Sequence, residues 1–365
     1  MKKAIIITLI LILCSIVPAY ANTGGVEGLT TVRGKIIEII ADMDSDDLGS
    51  DSSSIIQGRQ VVKVRVLEGE YKDREFIVEN NLGGMEFLNI RVEKNDSVLL
   101  MLDETGDTLR VNISSFARDK YIIYTVLLFT ILLIAVGRIK GLKAVFTLTF
   151  TVILIWKYML PSILKGSNPI TVSVITSAAI TVFTLIVIAG FNKKSYSAIL
   201  GTIAGVTIAA LIAFVVGNLA KLTGLTSDEA VMLMYLPGGI EFDFKGLLFA
   251  GIIIGTLGAV MDVSISISSS MDEVKKVNSE ISRLSLIKSG MNVGKDIMGT
   301  MTNTLILAYT GASIPILLIF LSYDTALVEI INLDIISTEI IRAITGSIGI
   351  VLAIPLTALF ASILE

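Results

Sequence analysis

Seven apolar stretches limit what this chain can become, because each has about the length of an α-helix that crosses a bilayer, roughly 20 residues. Hydrophobic residues make up 53% of the chain, which is more than a soluble domain usually carries. Within lipid the backbone finds no water to bond, so each stretch has to be helical. The sequence predicts a membrane α-helical bundle with spans at Tyr121–Gly137, Ala144–Leu164, Ile170–Phe191, Ser197–Gly217, Gly246–Ser268, Ile297–Leu321 and Ile340–Leu364.

Basic residues between the spans predict the orientation of the bundle. They follow the first, third and fifth spans, whereas the alternate loops are acidic, for example at Asp228 and Glu241. The basic set comprises Arg138, Lys140, Lys143, Lys193, Lys194, Lys275, Lys276, Arg283, Lys288 and Lys295. Because cytoplasmic loops carry the excess of lysine and arginine, we expect the C-terminus in the cytoplasm and the N-terminal domain outside it.

The N-terminus has the pattern of a secretory signal peptide over residues 1–21. Lys2 and Lys3 precede a short apolar run, and Ala19-Tyr20-Ala21 is typical of a cleavage site. An uncleaved additional span is the alternative, although the run is short for one. Cleavage after Ala21 would remove Cys14, the only cysteine of the chain.

The absence of histidine narrows the chemistry. Histidine-based acid–base catalysis and histidine-ligated metal sites are excluded, and so are thiol nucleophiles if Cys14 is removed. An intramembrane aspartyl protease built on Asp262 and Asp296 is a weak alternative, because neither acid stands in the sequence context that such proteases use. We expect no catalytic residues, no cofactor and no metal, and therefore no enzyme.

Residues 26–119 have the pattern of a small β domain. Apolar and polar residues alternate through Gln60–Leu67, and Thr31–Ile40 is rich in β-branched residues. Further short strands are predicted at Arg74–Glu79, Asp96–Glu104 and Leu109–Ile113. This number of strands in about 90 residues predicts a barrel-like domain of the OB or SH3 type. Its aromatic residues do not recur over a basic surface, so we expect no nucleic-acid binding.

The fifth and sixth spans, at 246–268 and 297–321, carry a polar stripe that lipid-facing helices have no reason to hold. In the fifth, Gly255, Gly258, Asp262 and Ser266 recur at steps of three or four and so share one face. The corresponding residues of the sixth span are Asp296, Gly299, Thr300, Asn303 and Gly311. The polar members are candidates for an ion or solute pathway, and the glycines for helix packing or hinges. A purely structural role in hydrogen bonding between helices is the alternative.

Two short helices are predicted between the spans. Ser270–Glu273 has a capping-box pattern and precedes an apolar stripe, which predicts an amphipathic helix on the inner membrane face. On the outer side, Thr226–Glu229 caps another short apolar run that ends before Pro237.

Three motifs resemble the YibE/F-like bacterial membrane proteins. They are Gly255 to Ile267, Gly294 to Leu305, and Gly69-Glu70-Tyr71-Lys72 of the β domain. One departure is Asp73, where this family is expected to have glycine. The resemblance covers the whole chain and implies a multi-pass protein of the bacterial plasma membrane, but it supplies no substrate.

The polar stripe predicts a permease or channel-like transporter of an ion or small polar solute, through the lipid bilayer in which the chain lies. The alternative is a membrane-anchored accessory or scaffold protein whose extracytoplasmic β domain, residues 26–119, binds a partner protein. Residues 120–365 form the membrane domain in either case.

Overall fold

The computed structural model of the protein describes residues 29–44, 56–83, 89–105, 109–236, 241–323 and 325–364. The chain forms two compact units, which meet in sequence between Val136 and Gly137. The expected signal peptide, residues 1–21, lies outside the described residues.

The first unit contains an antiparallel sheet of five strands in the order β3-β2-β1-β4-β5. The strands are β1 Leu29–Asp44, β2 Ile56–Val66, β3 Glu75–Gly83, β4 Ser97–Asp103 and β5 Arg110–Phe116. The long β1 pairs with β2 along one edge and with β4 along the other, and its pairing with β2 shifts register twice. Because β3 also approaches β5, the sheet curls into a half-barrel, in the circular order of an OB barrel.

The core of the half-barrel comes from the alternation that the sequence showed. Val62, Val64 and Val66 of β2 are completely buried, and so are Ile36 of β1 and Leu100 of β4. The intervening β2 residues face outward, as expected for strands with one buried face. The predicted β domain and its predicted strands are therefore confirmed.

A buried polar clip holds the segment before β4 against the sheet. The Gln60 side-chain carbonyl accepts from the Val92 backbone N–H at 3.0 Å, and its amide donates to the Val92 carbonyl at 3.2 Å. The Asn80 amide donates to the Ile90 carbonyl at 2.7 Å. Each buried polar group thereby has a partner, as burial requires.

The turn between β2 and β3 explains the residue that departs from the family pattern. Asp73 adopts a φ of 65°, in the left-handed region that favours glycine. Its N–H donates to the Val66 carbonyl at 2.9 Å, which closes the turn. Aspartate tolerates this conformation better than most residues with a side chain, so the turn survives the replacement.

The second unit is helical, and six helices in the described part of the chain are long and apolar enough to cross a membrane. The first, Asp119–Leu164, spans both units; it combines α1 Asp119–Leu154, a π-helical turn Ile155–Met159, and α2 Leu160–Leu164. The others are α3 Pro169–Ala189, α4 Lys193–Leu219, α6 Phe244–Val277, α7 Arg283–Ser322 and α9 Asp334–Leu364. Two short helices, α5 Asp228–Leu233 and α8 Leu327–Asn332, lie in the connections.

The six helices agree with the seven predicted spans because the first helix accounts for two of them. Its backbone departs from helical geometry at Arg138, where φ is 47° and ψ is −120°. This kink falls between the spans predicted at Tyr121–Gly137 and Ala144–Leu164. The predicted membrane bundle is confirmed.

Small residues bring α4 and α9 together at the centre of the bundle. A Cβ added at Gly205 would lie 2.8 Å from the Cβ of Ala353, and one added at Gly349 would lie 2.7 Å from the Cβ of Ala209. Such close approach gains dispersion contacts, which lipid-embedded helices need because the hydrophobic effect cannot join them. Helix α6 packs against this pair and also contacts α3 and α7.

The predicted helices in the connections fare differently. The helix predicted after Thr226–Glu229 is confirmed as α5, where Ser227 caps the helix by accepting from the Ala230 N–H. The inner amphipathic helix is wrong: α6 continues through Ser270–Glu273 to Val277, and α7 begins at Arg283. A continuing helix already satisfies the backbone groups that a capping box would satisfy, so the motif alone does not start a new helix.

Candidate functional site

Helix α6 presents its polar stripe on the outside of the bundle. The Asp243 side chain caps the helix by accepting from the Gly246 N–H at 2.8 Å. Apolar side chains such as Ile252 and Val263 are completely buried against the neighbouring helices. The opposite positions are exposed, and they include Gly255, Gly258, Asp262 and Ser266. The predicted shared face therefore exists, and it points away from the core.

Helix α7 has the same arrangement. Leu286, Gly290, Gly294 and Leu305 form its buried side. Asp296, Gly299, Thr300, Asn303 and Gly311 are exposed. Because Asn303 and Leu305 are two residues apart, they project from nearly opposite sides of the helix. Asn303 thus points away from the bundle instead of across the α6–α7 contact.

Three close approaches fix the antiparallel register of α6 and α7. Gly290 lies against Met271, Gly294 against Ile267, and Gly255 beneath the Tyr309 hydroxyl, where an added Cβ would be 2.6 Å from the oxygen. Counting along both helices from these contacts places Asp262 level with Thr300. The polar residues of the two helices therefore lie at similar depth, side by side on one surface. We call this surface, formed by Gly258, Asp262, Ser266, Thr300 and Asn303, the α6–α7 face.

The side chains of the α6–α7 face are not joined to one another. Within the described ranges, neither the Asp262 carboxylate nor the Asn303 amide has a hydrogen-bond or ion-pair partner. The Thr300 hydroxyl donates to the Ile297 carbonyl of its own helix at 2.9 Å. An unpaired carboxylate is costly in the hydrocarbon of a membrane, about 2.5 kcal/mol or more at the centre of a spanning helix.

The four glycines predicted for packing or hinges have different surroundings. A Cβ added at Gly258, Gly299 or Gly311 would meet nothing within 4 Å, whereas at Gly255 it would meet Tyr309. Helices α6 and α7 run without a break through all four positions. Only Gly255 therefore serves close packing within the chain, and three glycines leave open space.

A cleft of about 960 Å³ opens where α6 begins and α7 ends. Its polar lining includes Ser227, Glu229, Tyr309, Ser313, Glu339 and Arg342. Arg342 donates to Glu339 at 2.7 Å, and its guanidinium lies 5.7 Å from the centre of the Tyr309 ring. The Glu229 carboxylate accepts hydrogen bonds from its own backbone N–H and from Ser227, which lowers its pKa.

This cleft was not predicted from the sequence. The signal that was present is the spacing of Glu339 and Arg342, three residues apart and so on one face at the start of α9. Nothing in the sequence pointed to Tyr309, because the two residues that it contacts here, Gly255 and Arg342, lie on other helices. Within the described part of the chain, Glu339 Oε2 and Arg342 Nε are buried without a hydrogen-bond partner. One acceptor and one donor beside the cleft are therefore free to bind a polar group.

The interior of the bundle also holds hydroxyl groups, but most are satisfied locally. Thr176 and Thr181 each donate to the carbonyl four residues earlier, at 2.7 Å. Ser264 of α6 and Thr357 of α9 are 3.2 Å apart, and Ser268 donates to the Lys194 carbonyl at 2.6 Å. These bonds join helices and agree with a packing role for the buried hydroxyls. In the part of the chain that the structure describes, no three acidic side chains converge as metal ligands.

Two family models match the chain. The model for YibE/F-like protein matches residues 125–365, and the model for the YibE/F family N-terminal domain matches residues 29–116. This chain belongs to the YibE/F-like family. No curated protein and no solved structure matches it significantly. The resemblance carried by the three motifs is confirmed, and the motifs of the membrane unit include the α6–α7 face.

Proposed function

We propose that this YibE/F-like chain is a permease or channel-like protein that carries an ion or small polar solute along the α6–α7 face. The observation that carries the proposal is the exposed, unpaired carboxylate of Asp262, at a depth where lipid would otherwise surround it. Acids at such positions commonly belong to ion or proton pathways. Ser266, Thr300 and Asn303 supply further oxygen atoms at nearby levels.

The cleft extends the pathway toward the other end of the bundle. Tyr309 lines the cleft and also covers Gly255, the residue two helical turns before Asp262 on the same face of α6. Polar groups therefore follow one another from Glu229 and Arg342 through Tyr309 to Asp262. In this proposal the cleft is the outer entrance, and Asp296 lies near the inner exit.

The orientation belongs to the proposal as well. Lys194, Lys275 and Lys295 lie at the end of the bundle that also holds the C-terminus of α9. By the positive-inside rule this end faces the cytoplasm of a bacterial cell, and the β domain lies outside the plasma membrane after removal of residues 1–21.

Transport accounts for the acids better than catalysis does. A protease dyad needs two carboxylates close enough to share a proton. No hydrogen bond joins Asp262 to Asp296 in the described residues, and the register places Asp296 about one helical turn nearer the inner end. We therefore propose that the chain has no enzymatic activity.

Flux into proteoliposomes tests this function. The purified chain is assayed with H⁺, Na⁺, K⁺ and Mg²⁺ in turn, beside Asp262→Asn and Asp262→Ala. We expect flux of one cation to be lost in both variants and kept in Glu280→Gln, which changes an exposed acid in the connection before α7. Flux that persists in Asp262→Ala would remove this residue from the pathway. Absence of flux for every cation would favour the accessory or scaffold role.

A further inference from the structure

The α6–α7 face is unsuited to lipid along most of its length. Asp262 and Asn303 expose polar groups that have no partner in the described part of the chain. Acyl chains offer neither donors nor acceptors, so these groups require either water or another protein surface. The required cover has to come from a molecule that the single chain does not supply within its described residues.

The α6–α7 face and the exposed glycines next to it leave room for another helix. At Gly251, Gly258, Gly299 and Gly311 an added Cβ would meet no atom within 4 Å. Small residues on membrane helices are the positions through which a second backbone approaches closely, and polar residues beside them form hydrogen bonds across the contact. Bulky lipid-facing side chains, such as Leu200 and Leu211 on α4, cover the exposed side of another helix.

A second copy of this chain has the matching chemistry at the matching depth. Two copies inserted in the same orientation are related by a two-fold axis along the membrane normal, so residues of equal depth meet. Asp262 on α6 is an acceptor, and the Asn303 amide on α7 is a donor without a partner in the described residues, within about one helical turn of the same level. A half-turn about an axis beside the face places α6 of each copy against α7 of the other.

We propose that the α6–α7 face is the contact surface of a homodimer in which Asp262 accepts a hydrogen bond from Asn303 of the partner subunit. The open glycines let the two pairs of helices approach, and each carboxylate gains the partner that it lacks within one chain. The dimer forms whether or not the protein transports a solute. It also encloses Asp262 between subunits, where a pathway would be shielded from lipid.

Disulfide formation between differently tagged copies tests the reciprocal contact. In a Cys14→Ser background, one copy carries Asp262→Cys and the other carries Asn303→Cys, because Cys14 is the only native cysteine. Two cysteines form a disulfide when their Cα atoms come within about 7 Å. In native membranes exposed to a mild oxidant, we expect a cross-linked heterodimer that carries both tags. Adding Gly258→Leu to both copies should abolish it.

Leu200→Cys in both copies is the matched control. Leu200 is 42% exposed, and its helix contacts α6 through Gly205 with Val260 and through Lys194 with Ser268, which places it at a depth between Asp262 and Ser266. We expect no cross-link there. Chains that stay monomeric with the Asp262 and Asn303 cysteines, or that cross-link equally through Leu200→Cys, overturn the proposal.

A second measurement includes the wild-type chain, so its main outcome does not depend on the folding of any variant. The wild-type chain with a single fluorophore is reconstituted at low density, and photobleaching steps are counted for each spot. Two steps are expected for the wild type and one for Gly258→Leu. Single steps for the wild type contradict the homodimer, even if transport of a cation is found.

Discussion

Moving one methyl group across the contact between α4 and α9 tests whether these helices pack as closely as the structure shows. The added Cβ of Gly205→Ala would lie 2.8 Å from the Cβ of Ala353, about 0.7 Å inside the optimum of about 3.5 Å for two carbons. It would also lie 3.1 Å from the Gly349 carbonyl oxygen. Neither neighbour can rotate away, because one is a Cβ and the other is backbone.

The expected change in the free energy of unfolding follows from three contributions. Overpacking by a methyl costs about 1–3 kcal/mol, and replacing glycine by alanine in a helix returns up to about 1 kcal/mol. Gly205→Ala should therefore lower the free energy of unfolding by about 0–2 kcal/mol. Ala353→Gly should lower the free energy of unfolding by about 2 kcal/mol, since glycine is a poorer helix former than alanine and a buried methyl group is removed.

The double variant should recover most of this loss. The two helix-preference terms have opposite signs and cancel, whatever their size in a micelle. The one contact shorter than 3.0 Å is also relieved, because Ala353→Gly removes the Cβ that the new methyl meets. We expect a favourable coupling energy of about 1–3 kcal/mol between the two substitutions.

The assay is unfolding of the full chain in mixed micelles with a rising fraction of sodium dodecyl sulfate, followed by helical circular dichroism. Gly137→Ala serves as the control, because Gly137 lies outside the proposed subunit contact and its added Cβ would meet nothing within 4 Å, so stability should be unchanged or slightly raised. A coupling energy below about 0.5 kcal/mol would refute the close α4–α9 contact, since distant sites are additive to that level.

Three further predictions concern the β domain of the full-length protein, with hydrogen–deuterium exchange as the readout. Gln60→Leu should leave the buried Val92 N–H without its acceptor, cost about 1–3 kcal/mol, and speed exchange around Val92; unchanged exchange would contradict the clip. The pKa of Glu75 is lowered by hydrogen bonds from Lys63 and then Arg65, so folding favours the ionised form. The stability from Glu75 is therefore fully present above the ordinary glutamate pKa of about 4.3 and is lost as pH falls through the lower folded value. Exchange in β3, corrected for intrinsic rates, should rise below that pH in the wild type and less in Glu75→Gln. Asp73→Gly should be neutral or stabilising by up to about 1 kcal/mol, whereas Asp73→Val should destabilise the turn, since φ is 65° there; equal effects would contradict the left-handed turn.

The spans and the strands were predictable because each follows from a local rule. An apolar run of membrane length has to be helical in lipid, and alternation such as that of Gln60–Leu67 suits a strand with one buried face. The kink at Arg138 was also implied, since its basic neighbours separate two apolar runs. The positive φ of Asp73 stands where the family pattern led us to expect glycine.

The surroundings of Asp262 were not predictable in the same way. Periodicity shows that Gly255, Asp262 and Ser266 share a face, but not where that face points. In a soluble helix the polar face would be assigned to solvent, whereas in lipid both the outer and the packed side are largely apolar. Buried Thr256 and Ser264 on the same helix show that polarity alone does not mark the exposed side.

Two helices each carry small residues along one face, but only one of these faces is covered within the chain. On α4, Gly201, Gly205 and Ala209 repeat every four residues, and α9 fills the space above them within the chain. On α6, Gly251 and Gly258 lie seven residues apart on the face that also carries Asp262, yet no side chain of the described residues occupies the space above them. Small residues that already pack against another helix of the chain need no further partner. An exposed row of small residues beside an unpaired carboxylate is poorly suited to contact lipid. The α6–α7 face is therefore where substitutions should change assembly or transport while leaving the fold of the single chain intact.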